Sequence, residues 1–153
     1  MHKYVLALYF GVVIGAPANA ANAADDSALV AVVQRSVDGF NHADARAVAA
    51  TCAREAVVID DFPPHAWQGP HACARWFKDF ESMSKVEGIA NARIAVDPPS
   101  HIEISKDVAY LVIPAKLSFD RKGAHVTDVG IMTVTLRNGE SGWRISGWVW
   151  SDR

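Results

Sequence analysis

Hydrophobic positions follow two different rhythms along this chain. In the first half they recur every three or four residues. Leu29, Val33, Val37 and Phe40 predict an amphipathic helix opened by the capping residues Asp25-Asp26-Ser27 and closing over Gly39 to Asn41. Asp44 predicts the cap of a second, alanine-rich helix through Ala45 to about Arg54, with Val48, Ala49 and Cys52 turned inward. Pro70 suits a helix start, and Cys73, Trp76, Phe77, Phe80 and Met83 mark a third helix from His71 to about Ser84.

After Gly88 the rhythm changes to alternation. Ala92, Ile94 and Val96, then Ile102 and Ile104, predict strands with one apolar face. Ser105-Lys106-Asp107 turns the chain into a long strand from Val108 to Phe119, where Pro114 predicts an edge or a bulge. His125 to Leu136 follows, with Gly130 predicting a bend, and Asn138-Gly139 opens a hairpin, lengthened to a longer loop by Glu140-Ser141-Gly142, into a last strand from Trp143 to Ser151. Both faces of that strand are heavy. Two helices, a short strand, a third helix and four or five antiparallel strands amount to an α+β domain, with helices on one side of a bent sheet that encloses a cone with room for a ligand.

Length and charge narrow the classes. The chain's 153 residues suffice for one domain with a real core. Residues 1–23 contain no acid, carry Lys3, run apolar from Tyr4 to Ile14 and end in Ala18-Asn19-Ala20 and Ala21-Asn22-Ala23, the pattern of a cleaved signal peptide. The apolar run falls short of the ~20 residues that span a bilayer, so the expectation is residues 24–153 as a single periplasmic or secreted domain, with no membrane contact after cleavage. Cleavage would move the net charge from -2 to -3, and a mildly acidic chain without basic blocks argues against nucleic acid. Export makes Cys52 and Cys73 either one disulfide or two buried thiols. With no CxxC, HExxH, glycine-rich phosphate loop or GxSxG, no metal or cofactor is expected.

Chemistry concentrates in Val57-Val58-Ile59-Asp60-Asp61-Phe62-Pro63-Pro64-His65-Ala66-Trp67-Gln68-Gly69-Pro70. Neighbouring side chains on a strand point to opposite faces, so one of Asp60 and Asp61 looks inward if the strand continues. In a dry pocket that carboxylate would be a general base, and Asp61 is weighed ahead of Asp60. His65 and Tyr110 are the candidate acid/base partners. Trp67, Trp76, Phe80, Trp148 and Trp150 are candidate walls for a flat apolar ligand, the alternative being plain core. Asp128 shares a face with Gly130 and Met132, which makes it either a buried, partnered acid or the point where that face meets water.

The chain resembles the SnoaL-like group of the nuclear transport factor 2-like superfamily. The resemblance rests on Phe40-Asn41-His42-Ala43-Asp44, Asp60-Asp61-Phe62-Pro63-Pro64, Trp67-Gln68-Gly69, Gly142-Trp143-Arg144-Ile145 and Trp148-Val149-Trp150-Ser151. It implies three N-terminal helices on a strongly bent antiparallel sheet, a cone-shaped pocket for a small apolar molecule, and a homodimer formed through the outer sheet face. Ketosteroid isomerases, similar in fold, place an aspartate base where Asp60 or Asp61 stands. Their tyrosine and second acid fall near Ser36 and Thr133, neither of which supplies the matching group. Scytalone dehydratase-like relatives would imply Tyr110, His65 or His125, and Asp61 around a bound water. The superfold serves isomerases, dehydratases, cyclases and pure binding domains alike.

Overall fold

A computed structural model of the chain describes residues 18–152, with side chains from residue 25 onward. The expected leader therefore lies largely outside the described residues. Helix α1 spans Ala18–Asn41, so Asp25 to Ser27 lie within it and do not cap it. Helix α2, Ala45–Thr51, starts where expected, with the Asp44 carboxylate accepting from the Ala47 amide at 2.9 Å. It stops three residues early, because Cys52 already belongs to strand β1, Cys52–Ile59. Strand β2, Ala66–Pro70, pairs back on β1 before helix α3, Ala72–Glu87, which ends on Gly88 in the left-handed region. Strands β3 (Ile89–Val96), β4 (His101–Ser105), β5 (Val108–Arg121), β6 (Ala124–Gly139) and β7 (Gly142–Asp152) complete the chain.

The seven strands form one sheet in the order β2-β1-β7-β6-β5-β3, with β4 also on β5. It is mixed, not purely antiparallel as expected, because β1 and β7 run parallel. Parallel neighbours need a long crossover, and everything from β2 to β6 supplies it. Pro114 sits at neither an edge nor a bulge. It lies where β5 changes neighbour, from β3 ending opposite Ala115 to β4 beginning opposite Val112, so no partner strand needs its missing N–H. The ladder runs unbroken through Gly130. The irregularity in β7 is at Ser146, where Ile145 pairs with Leu136 but Gly147 with Thr135. That extra residue puts Ile145, Trp148 and Trp150 on one buried face. The hairpin after β6 is tight rather than a longer loop, with Gly139 opposite Gly142.

The apolar stripes meet as their periods require. Leu29, Val33, Val37 and Phe40 of α1, and Cys73, Trp76 and Phe77 of α3, are buried against Val58, Leu111, Val134 and Leu136 of the sheet. Cys52 and Cys73 are joined, with Cα atoms 6.5 Å apart, tying the start of β1 to the first turn of α3. Closing a loop of that length contributes about 3 kcal/mol in the chain-entropy account. Among the described residues no helix is long and apolar enough to cross a membrane.

Candidate functional site

Strand parity selects the inward acid. Ala56 and Val58 are buried while Val57 and Ile59 are 40% and 43% exposed, so the next inward position is Asp60. Its carboxylate accepts the Trp76 indole N–H from α3 at 2.7 Å on one oxygen and the Asp61 amide at 2.9 Å on the other. Burial raises its pKa to about 6, against these two hydrogen bonds, which lower it, and with a further push from the charge of Asp61. The group is thus ionised at neutral pH yet far more basic than an ordinary aspartate.

Asp60 opens on a cavity of about 230 Å³ between helices and sheet. Phe40, Phe80 and Met83 line it from the helices, Leu117 and Phe119 from β5, Met132 and Val134 from β6, and Trp148 and Trp150 from β7. Trp76 meets Trp148 edge to face at 4.7 Å. Gly130 is a fitting rather than a hinge: a Cβ there would stand 2.7 Å from the Trp150 ring, so glycine lets that indole lie on the sheet.

A second group of acids stands beside this cavity. One carboxylate oxygen from each of Asp61, Asp128 and Asp152 lies within 4.8 Å of the others. Asp128 has its pKa raised, first by burial and then by the charges of Asp152 and Asp61. The Trp150 indole N–H donates to Asp152 at 3.1 Å. Oxygen donors of this kind suit a hard cation, though three are only part of its usual complement.

Of the residues singled out from sequence, Asp60, Asp61, Trp76, Phe80, Asp128, Trp148 and Trp150 line the cavity. Three do not. Tyr110 is 39% exposed, paired with Glu103 and Thr135 on the face away from the helices. His65 is an exposed turn residue with φ 69°, its amide donating to the Phe62 carbonyl and its own carbonyl accepting the Asp60 amide. Trp67 is core, packed on Phe62 at 5.0 Å with its N–H given to Asp79 at 2.8 Å. The sequence reading missed Glu87, Arg121 and Asp152, and reached Ser36 only as the position of the ketosteroid isomerase tyrosine. Arg121 and Glu87 line the cavity as an ion pair at 2.6 Å; they lie 34 residues apart, with no local pattern linking them.

Because Asp60 binds its proton more tightly folded than unfolded, stability is lost as pH rises from about 4 through about 6. The penalty at neutral pH is about 3 kcal/mol. Asp60→Asn removes it, so in urea unfolding the variant gains up to about 3 kcal/mol relative to wild type on going from pH 4 to pH 8. An identical difference at both pH values would contradict this.

No protein-family model matches the chain, and no curated protein matches its sequence. Its architecture is similar to several solved structures. A hexachlorocyclohexane dehydrochlorinase, LinA-type3 of Novosphingobium barchaimii, superposes with a TM-score of 0.76 at 9% identity over 89% of this chain and 91% of that one. A nuclear transport factor 2-like superfamily protein of Salmonella enterica gives 0.72 at 14% identity over 86% and 92%. A ketosteroid isomerase-like protein of Erwinia carotovora gives 0.67 at 19% over 84% and 95%. Among the described residues, three helices on a seven-stranded mixed sheet, with an acid after the first strand facing an apolar hollow, give this chain the nuclear transport factor 2-like fold.

Proposed function

We propose that this chain, exported and cleaved near Ala24, holds a small apolar molecule in a cone-shaped pocket and that Asp60 acts on it as a general base. The observation that carries the reading is the Asp60 carboxylate, placed in an aromatic cavity by the Trp76 indole and basic to about pH 6. Proton abstraction would move a substrate C–H proton to a free lone pair of Asp60. In isomerisation the released pair would form a new double bond while an adjacent double bond shifts and its far carbon takes the proton back from Asp60; in elimination, dehydration included, it would form as a leaving group departs with its bonding pair. A structural neighbour named as a dehydrochlorinase fits that class. Hydrolysis would use the same carboxylate on a water. Burial favours the neutral acid that results.

A second reading is binding without turnover. It is favoured by the absence of matching groups at the two other positions that ketosteroid isomerases use: Ser36 is a serine on the cavity wall, and Thr133 pairs with Val112 and Val149 on the outward face. The two readings separate with 5-nitrobenzisoxazole, a compact aromatic whose ring opens on loss of one carbon-bound proton. A general base gives ring opening that rises with pH through about 6 and then levels, and Asp60→Asn lowers it by about 100-fold or more. A rate no faster than an equivalent amount of free acetate would leave binding alone.

A homodimer formed through the outer sheet face completes the proposal. That face exposes Val57 and Ile59 on β1, Val129 on β6 and Tyr110 on β5. Light scattering should give twice the chain mass, and Val57→Lys should halve it. A wild-type monomer at high concentration would remove the dimer from the account.

A further inference from the structure

The ionisable side chains lining the cavity are Asp60, Asp61, Glu87, Asp128 and Arg121. Arg121 is committed to Glu87. It stands four residues beyond Leu117, the β5 partner of Asp128, which is about 13 Å along a strand. That leaves Asp60, Asp61 and Asp128, with Asp152 beside the last two. Among the described residues none of these four forms an ion pair with Lys, Arg or His. The repulsion is felt at Asp128, which holds its proton more tightly partly because of Asp61 and Asp152. A positive charge arriving among them would relieve it.

An independent observation concerns the wall behind the acids. Trp76 and Trp150 each spend their indole N–H on a carboxylate, of Asp60 and Asp152 respectively. Both residues, together with Trp148, also line the cavity. Indole faces attract organic cations and apolar groups alike. A hydrated metal ion would use the carboxylate oxygens and leave this apolar volume unfilled. The space is also below the usual range for drug-sized ligands, so the body attached to the charge must be compact.

Resting on the reading that the cavity takes a small apolar molecule, we propose that this molecule carries one protonated amine, seated among Asp61, Asp128 and Asp152 with its body against Trp76, Trp148 and Trp150. Calorimetry on the full chain with 2-naphthylmethylammonium, the isosteric alcohol 2-naphthylmethanol and 2-naphthoate tests it. The ammonium should bind about tenfold more tightly than the alcohol, and the carboxylate more weakly than either. In the Asp61→Asn/Asp128→Asn double variant the ratio of ammonium to alcohol affinity should fall to within about threefold. An alcohol that binds as tightly as the ammonium overturns the inference and leaves the pocket reading intact. Heat from none of the three overturns both. Calcium binding at the acids without any ammonium preference assigns them to a metal and overturns the inference.

Discussion

A carboxylate taken out of water must find donors or keep its proton, and Asp60 stands between those outcomes. One oxygen is held by the Trp76 indole and the other by the amide of the next residue. The remaining surroundings are aromatic, and they leave the group much more basic than aspartate in water. The rest of the molecule can be read as the apparatus that keeps this arrangement in place. Helix α3 must present Trp76 to the end of β1, and the Cys52–Cys73 bridge ties those two elements at their starts. Trp76 is fixed in turn by Trp148 from β7, which lies parallel to β1 and brings the C-terminal strand to the same wall.

Much of this was legible because local period and burial coincide. The α1 and α3 stripes were readable since a helix face turned to a core needs apolar residues every three or four positions. An inward acid after Ile59 followed from alternation alone. Which acid was less clear, because nothing local says whether parity persists past Ile59; it does, and Asp60 is the half-buried acid held by Trp76 while Asp61 lines the cavity from an exposed position. Tyr110 was misplaced for a related reason. Both faces of β5 are apolar, with Ala109, Leu111 and Ile113 inward but Val112 and Pro114 outward, so alternation carried no sign of which side met the helices. Trp67 looked like a ligand wall, but its N–H goes to Asp79, a pairing made only when β2 docks on α3.

What no local pattern could carry is the long-range pairing. The parallel contact of β1 with β7 joins residues about ninety positions apart, and it seats Asp61 near Asp128 and Asp152. The extra residue at Ser146 is equally silent in sequence, yet without it Trp148 and Trp150 would not share a face with Ile145. The acids and indoles that form the site come from four separate elements or turns. Their chemistry is ordinary singly and distinctive only together, a hollow lined by rings with negative charge on one side.

The central claim is that Asp60 ionises inside that hollow rather than in water. Carbon-detected nuclear magnetic resonance of the side-chain carboxyl carbons, followed through a pH titration with Asp60→Asn to assign the signal, measures this directly. The account predicts an Asp60 midpoint close to 6. A midpoint at or below the ordinary aspartate value of about 3.9 would contradict it.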